Sequence, residues 1–154
     1  MKENNCKYKI AHIISSDLPR TMTTAGIISK ELEIEIKEEF QIRETNNGDL
    51  AGMLNDIALE KYPVLFFSSL KMDEPYPKGE SLGDFYKRIK KWFVDFCARY
   101  RVSVDNVLIA THGGVINNIY HLVKGIEWSN EGRNFKVDNC SIHVLDVASM
   151  EFEV

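Results

Sequence analysis

The residues VLIATHGGVI, from Val107 to Ile116, decide the fold of this chain. The run from Val107 to Ala110 is short and consists of β-branched and aliphatic residues, which predicts a strand that is covered on both faces. His112 follows at the carboxyl end of this strand. Gly113 and Gly114 then let a backbone or a ligand come close, because they carry no side chain. Apolar residues resume at helical spacing at once, so we predict a strand, a polar turn and a helix.

This turn has the features of a ligand site. In an open α/β sheet, ligands bind outside the carboxyl ends of the strands. A helix that begins there points backbone N–H groups and the positive end of its dipole at the ligand. His112, with Gly113 beside it, is therefore a candidate for phosphate chemistry. A histidine followed by two glycines also occurs without any catalytic role. Whether His112 is catalytic therefore has to be judged from the other segments of the chain.

Length and composition indicate one ordinary globular domain over residues 1–154. Apolar residues make up 44% of the chain and charged residues 27%, which is enough for one normal hydrophobic core. The net charge of −4 offers no basic surface for nucleic acid or an anionic membrane. No apolar run approaches the roughly 18 residues of a membrane span, and no signal peptide is visible. We therefore expect neither nucleic acid nor a membrane as a partner.

The cysteines are Cys6, Cys97 and Cys140, which are odd in number and lack metal-ligand spacing. They predict reduced thiols in a cytoplasmic protein and no metal site.

A second strand, turn and helix are predicted near the start of the sequence. Tyr8 to Ser15 has the pattern of a strand, and Ser16 or Asp17 can cap the helix that follows, with Pro19 in its first turn. Arg20 then lies in the first helical turn, where its charge opposes the helix dipole. An anion bound between Arg20 and the helix amides would remove this conflict. The alternative is a solvated surface arginine.

The middle of the chain contains a candidate acid/base group and the clearest helix. Glu44 follows Arg43 in a loop, where it could offer a carboxyl for proton transfer or form a surface salt bridge. Ser81 and Asp84 form a capping-box-like pair at the start of a helix that carries an aromatic stripe as far as Tyr100. We interpret this stripe as core packing and place Arg88 among the cations that face away from it.

The final part of the chain predicts a helix end and a hairpin. Lys124 and Gly125 supply a C-terminal stop for the helix after His112. Ser141 to Val147 alternates like a strand, and Glu151 to Val154 could pair back onto it as an edge strand.

Taken together, several segments of the chain resemble the histidine phosphatase superfamily, the phosphoglycerate mutase-like proteins. In chain order, the matching segments are SSDLPRT at 15–21 with Thr24-Ala25, Arg43-Glu44 followed by Gly48, PKGES at 77–81, THGGVI at 111–116 and NCSI at 139–142. Each motif is weak by itself. Their order and spacing together are specific, and the match covers nearly all of the chain.

The resemblance implies a three-layer α/β fold with a mostly parallel sheet and helices on both faces. It also implies phosphoryl transfer through a phosphohistidine in an N-terminal Arg-His-Gly motif, without a metal or another cofactor. Carried over by resemblance, Arg20 would bind phosphate, and His112, with Gly113 beside it, would stabilise the equatorial oxygens of the transferring group. Glu44 would donate a proton to the leaving oxygen. The expected ligand is a small phosphorylated metabolite.

The Arg-His-Gly motif itself does not occur in the sequence. We therefore expect an N-terminally truncated family member that lacks the first strand and helix, keeps a partial phosphate pocket and turns over little or no substrate. We place the lacking strand between Ile10–Ser15 and Val107–Ala110, where its loss leaves a gap that the two neighbours close or a second copy fills. An exposed sheet edge of this kind predicts a homodimer or aggregation.

Two alternatives stay open. The chain could be a shortened version of a complete phosphomonoesterase or sugar-phosphate mutase. In that case, the stretch from Gly79 to Arg88 resembles small bacterial phosphatases of the α-ribazole phosphatase type. It could also be a non-catalytic protein that binds phosphorylated ligands, or a partner at its open sheet edge.

Overall fold

A computed structural model describes residues 8–63, 65, 67–132 and 135–152. Cys6 and residues 153–154, which the predictions above include, lie outside these ranges. The elements in chain order are β1 (Ile10–Ser15), α1 (Pro19–Leu32), β2 (Ile36–Glu38), two 3-10 turns (Phe40–Ile42 and Gly48–Leu50), α2 (Asn55–Lys61), α3 (Leu82–Tyr100), β3 (Asn106–Ala110), α4 (Gly113–Lys124), β4 (Leu145–Asp146) and β5 (Glu151–Phe152).

The main sheet is parallel, and its strand order is β2-β1-β3. The last residue of β1, Ser15, lies opposite Glu38 of β2 and opposite Ala110 of β3. All three strands therefore end at the same edge of the sheet, and Ser16 and Thr111 begin the turns that leave it. This arrangement confirms the predicted α/β fold with a mostly parallel sheet.

The strands β1 and β3 are direct neighbours, which is the first of the two predicted outcomes, in which the neighbours close the gap. Ile13 lies opposite Leu108 and Ile14 lies opposite Ile109. The open edge is the outer side of β3, which pairs with no further strand in the described part of the chain. The open edge leaves the residues of β3 after Asn106 half-buried, although α1 lies against this strand and Val107 and Ile109 pack against the main core.

Helices pack on both faces of this sheet. Neighbouring residues of a strand point to opposite faces. Ile14 belongs to the main core with Phe85 and Ile89 of α3. Ile13 points to the other face, where α1 lies against β1 and buries Ala25 completely. None of the described helices is both long enough and apolar enough to cross a membrane.

The predicted helix ends are partly confirmed. Ser81 caps α3, and its hydroxyl accepts the Asp84 N–H at 3.1 Å. Gly125 ends α4 in the left-handed conformation with φ of 65°. The predicted cap of α1 was wrong, because its N-cap residue is Leu18, which makes no side-chain cap, although Pro19 does begin the helix.

The C-terminal hairpin is shorter than predicted. Of the expected strand from Ser141 to Val147, only β4 is extended and paired, and it runs antiparallel to β5 outside the main sheet. The NCSI segment, whose resemblance was to the family's last core strand, forms a turn in which Cys140 has a positive φ of 60°. The thiols of Cys97 and Cys140 are both free.

Candidate functional site

His112 lies where β3 gives way to α4. It is the N-cap residue of α4, and its carbonyl accepts the Ile116 N–H at 3.0 Å. Its side chain is buried, with Nε2 2.8 Å from the hydroxyl oxygen of Ser16. Ser16 follows β1, and its N–H donates to the Ala110 carbonyl at 2.9 Å. The direct pairing of β1 with β3 therefore brings the two side chains together.

The surroundings of His112 keep its imidazole neutral at pH 7. Burial is the largest cause that lowers its pKa from 6.5 to about 4, and the positive charges of Arg20 and Arg88 act in the same direction. Arg20 is exposed in the first turn of α1. The fold thus brings the predicted residues Arg20 and His112 to the same edge of the sheet.

Glu44 lies against the first turn of α4. Its Oε2 accepts the Gly114 N–H at 3.0 Å, and its Oε1 accepts the Thr45 N–H at 3.1 Å. The first amides of a helix have no acceptor within the helix, so Glu44 caps α4 from a distant segment. A Cβ at Gly114 would lie 2.2 Å from Oε1 of Glu44, whereas the nearest atom to a Cβ at Gly113 is 4.0 Å away. Gly114 therefore makes room for a carboxylate of the protein, and the exposed Gly113 leaves space for a ligand.

The residue before Glu44 fixes the position of its loop. Arg43 forms an ion pair with Asp17, in which Nε donates to Oδ1 at 2.6 Å. This hydrogen bond is the main cause that lowers the pKa of the Asp17 carboxyl. The salt-bridge alternative thus applies to Arg43, and the loop of Glu44 is tied to the turn that follows β1.

Arg88 is a component of the site that the sequence interpretation missed. Its Nη2 donates to Oε1 of Glu80 at 2.6 Å, and its Nη1 donates to the carbonyls of Arg43, at 3.1 Å, and Gln41. The sequence placed Arg88 only among the cations that face away from the aromatic stripe, whereas its side chain is 21% exposed and turned toward the loop of Glu44. The residue type could have indicated this role. Position 88 is an arginine in a run of lysines, and the planar guanidinium can donate to several acceptors at once.

The other histidines have partners elsewhere. His12 is exposed within β1, with Nε2 3.4 Å from a carboxylate oxygen of Asp105. His121 is buried on α4, and its Nδ1 lies 2.8 Å from the Asn117 carbonyl. Nδ1 of His143 lies 3.0 Å from the hydroxyl of Tyr120. His112 is thus the histidine at the carboxyl edge of the sheet.

A cavity of about 380 Å³ opens beside Glu44 and Gly114. Its lining consists mainly of aromatic and small polar residues, namely Thr45, Asn47, Phe67, Tyr76, Phe85, Asn117 and Trp128. The sequence interpretation placed Phe85 in the core but did not predict this cavity. Glu44 therefore lies between the charged groups near His112 and the aromatic cavity.

Comparison with known proteins identifies relatives over most of the chain. The profile of the histidine phosphatase superfamily (branch 1) matches residues 3–154. Phosphoglycerate mutase-like protein 4 of Arabidopsis thaliana is 33% identical over 141 residues, which cover 89% of this chain and 59% of that protein. Phosphoserine phosphatase 1 of Hydrogenobacter thermophilus is 31% identical over 137 residues, which cover 86% and 63%. The chain spans about three fifths of the length of these curated relatives.

The fold is shared with a solved phosphatase. A mycobacterial glucosyl-3-phosphoglycerate phosphatase in complex with VO3 matches with a TM-score of 0.74 and 21% identity, over 98% of this chain and 78% of that one. At this identity the match shows the fold alone. The family profile spans nearly the whole sequence, and the chain therefore belongs to branch 1 of the histidine phosphatase superfamily.

Proposed function

We propose that the carboxyl edge of the main sheet binds the phosphate group of a small phosphorylated molecule. Arg20 supplies a guanidinium that suits contact with two oxyanion oxygens. Gly113 supplies an amide at a helix start, and His112 supplies a ring nitrogen. The observation that carries this proposal is the position of Arg20 near the buried His112 at the start of α4, where its charge helps to lower the pKa of His112. Because Arg88 is paired with Glu80, the positive potential that favours an anion comes mainly from Arg20 and the N-terminus of α4.

In this proposal, Glu44 is the group that exchanges a proton with the ester oxygen of the ligand. Its carboxylate accepts the Gly114 N–H, so a phosphate at Gly113 would lie next to it. An arriving phosphate can replace the carboxylate as the acceptor of this N–H. Glu44 would then be free to turn toward the ester oxygen.

We expect little or no turnover from the 154-residue chain tested by itself. The family's covalent route needs a nucleophilic imidazole, and the sequence contains no Arg-His-Gly. His12, His121 and His143 have partners away from the carboxyl edge. His112 corresponds by resemblance to the second pocket histidine. The chain alone would therefore bind phosphate esters without hydrolysing them.

A second candidate is catalysis by a longer protein of which this chain forms part. It is favoured by the names of the two curated relatives, a phosphoglycerate mutase-like protein and a phosphoserine phosphatase, and by their greater length. Joined to a segment that bears Arg-His-Gly, the chain would act as a phosphomonoesterase or a mutase. An α-ribazole phosphatase is one such hypothesis. The third candidate is a purely binding role for phosphorylated ligands.

Thermal unfolding in the presence of inorganic phosphate tests the binding site. A ligand that binds only the folded state at 100 times its Kd adds about 2.7 kcal/mol to the free energy of unfolding. We expect Arg20→Ala to abolish this stabilisation. Lys30→Ala, which removes an exposed cation from the last turn of the same helix, should retain it. Equal stabilisation of the wild type and Arg20→Ala would contradict the proposed site.

Hydrolysis of p-nitrophenyl phosphate separates the three candidates. We expect no turnover above the blank from the chain alone, and turnover from a chain extended upstream by an Arg-His-Gly segment would support the second candidate. Stabilisation by phosphate without turnover in either protein would support the binding role. Hydrolysis by the chain alone that His112→Ala abolishes would overturn the expectation of inactivity.

A further inference from the structure

The cavity beside Glu44 is walled by aromatic rings at different depths. Phe85 and Trp128 are almost completely buried, and their ring centroids lie 5.9 Å apart in an edge-to-face arrangement. Phe67 lies 6.3 Å from Trp128 and is 41% exposed, so it stands at the mouth. A volume of about 380 Å³ falls within the range of roughly 300–1,000 Å³ that is typical of small-molecule pockets.

Backbone contacts hold the rim of this cavity in place. The side-chain amide of Asn130 donates to the carbonyls of Phe67 and Leu70, at 2.6 and 2.8 Å. On the other side, the Asp49 N–H donates to the Pro77 carbonyl at 2.9 Å. The walls are therefore formed before a ligand arrives, which lowers the entropic cost of binding.

Trp128, one of the residues that line this cavity, has one hydrogen-bonding group that no described residue satisfies. Its indole lines the cavity, yet its buried Nε1–H has no acceptor within the described part of the chain. Tryptophan N–H groups usually find a partner when they are buried. A ligand with a polar atom in the cavity would provide one.

We propose that this cavity binds the aromatic ring of a phosphate monoester, and that the Trp128 N–H donates to a polar atom of that ligand. The placement of the ester's phosphate at Arg20 and Gly113 rests on the proposed function. Glu44 belongs to both parts, because it lines the cavity and accepts the Gly114 N–H. The ester oxygen would therefore lie next to the Glu44 carboxyl. A compact ligand such as a three-carbon phosphate would leave the aromatic walls without a partner.

Trp128 itself can report on the cavity. The chain has two tryptophans, and Trp92 is buried on α3, where its ring stacks on Phe96 at 5.2 Å. Trp92→Phe thus leaves Trp128 as the single indole fluorophore. We expect phenyl phosphate to change its emission and to bind at least about tenfold more tightly than inorganic phosphate or glycerol 2-phosphate. Calorimetry on the wild-type chain measures the same preference without relying on the variant.

Two substitutions and a matched control test the lining. Phe67→Ala should lower the affinity for phenyl phosphate about tenfold and leave that for inorganic phosphate unchanged. Phe40→Ala removes a phenylalanine that is 63% exposed and outside the cavity lining, so it should change neither affinity. Trp128→Phe keeps an aromatic ring but removes the N–H. Calorimetry should show unchanged binding of phenyl phosphate, whose ring carries no polar atom, and weaker binding of p-nitrophenyl phosphate, whose nitro oxygens can accept the N–H.

The outcomes separate this inference from the phosphate site. Equal affinity for the three phosphates, with binding still dependent on Arg20, would overturn the aromatic cavity and leave the phosphate site intact. If inorganic phosphate does not bind, phenol provides the ring without the charge. Quenching of Trp128 by phenol that Phe67→Ala abolishes would support the cavity, although the phosphate site would then be wrong. Failure of both phenyl phosphate and phenol to bind would overturn the cavity.

Discussion

At His112, burial and two neighbouring cations disfavour the charged imidazolium. The pKa in the folded state is about 4, whereas an unfolded chain should have the ordinary value of about 6.5. When the folded pKa lies below the unfolded one, the unfolded state binds the proton first as the pH falls. The contribution of His112 to stability is therefore fully present above pH 6.5 and is lost as the pH falls toward 4.

This linkage predicts an acid-sensitive fold. Between pH 7 and pH 5, His112 should lower the free energy of unfolding by about 2 kcal/mol, as measured by urea denaturation at each pH. His112→Gln should remove this part of the slope. The pKa of Asp17 is also lowered, from 3.8. Its contribution to stability is therefore lost at lower pH than that of His112, and the two effects do not overlap. An identical slope in the wild type and His112→Gln would contradict the prediction.

The two glycines at the start of α4 predict opposite responses to alanine. Gly113→Ala meets no clash, because the nearest atom to the added methyl group is 4.0 Å away, and alanine favours a helix by about 0.5–1 kcal/mol over glycine. Gly114→Ala brings a methyl group to 2.2 Å from Oε1 of Glu44 and must displace this carboxylate from the helix N-terminus. Loss of an N-terminal cap costs about 1–2 kcal/mol. Urea denaturation should therefore rank Gly114→Ala below the wild type and Gly113→Ala at or above it.

A double-mutant cycle identifies the cause of the Gly114 effect. In a Glu44→Ala background no carboxylate remains to be displaced, so Gly114→Ala should then behave like Gly113→Ala. Contacting residues couple by about 0.5–3 kcal/mol in such cycles. If Gly114→Ala costs the same with and without Glu44, the contact between them does not cap α4.

At the scale of the elements, Arg88 connects α3 to the loop that carries Glu44. Its guanidinium bonds to Glu80 and to the carbonyls of Gln41 and Arg43. Glu80 also accepts the Asn46 N–H at 2.8 Å. The pair of Arg88 and Glu80 therefore holds the loop on both sides of Glu44. Arg88 additionally helps to lower the pKa of His112. This link predicts that a substitution of Arg88 on α3 alters both the position of the loop and the pKa of His112.

Replacement of Arg88 should be costly. Arg88→Met leaves Glu80, which is 18% exposed, without its cation and leaves two carbonyls without a donor, so we expect a loss of about 3 kcal/mol. Arg88→Lys should not restore the wild-type stability, because one ammonium cannot match the planar fork. Lys87→Met, which removes a highly exposed ion pair with Asp84, should change stability by less than about 1 kcal/mol. Equal losses at positions 87 and 88 would contradict this role.

The periodic elements were largely predictable, because their signals are local. The helical spacing of α1 and α3, the Ser81 cap and the Gly125 stop each depend on residues a few positions apart. The contact of Arg88 with Gln41, the hydrogen bond of Ser16 to His112 and the aromatic cavity join residues that are far apart in the chain. Periodicity carries no information about such contacts, so the sequence named Arg20, Glu44 and His112 but not the groups that hold them.

Strand order in the sheet was the feature that the sequence pattern did not predict. The apolar run from Val107 to Ala110 identifies a strand but not its neighbours. The sequence therefore left open whether the two neighbours close the expected gap or a second copy fills it, and β3 pairs directly with β1. The same pairing leaves the outer edge of β3 open in the described chain. Apolar strands of parallel sheets are normally buried on both faces, whereas here Leu108 and Ile109 remain half-buried. An open apolar edge favours association with another strand.

This edge predicts a homodimer. The mass of the chain, measured by light scattering, should rise from 17.7 kDa toward twice that value as the concentration approaches about 100 μM. Leu108→Lys places a charge on the edge strand and should keep the protein monomeric, with circular dichroism confirming that it still folds. Val102→Lys replaces an apolar residue that is 90% exposed outside the sheet, so it should dimerise like the wild type. A wild-type protein that is monomeric at this concentration and melts cooperatively would mean that β3 needs no partner strand. If Val102→Lys associates more weakly than Leu108→Lys, the dimer contact does not lie at the sheet edge.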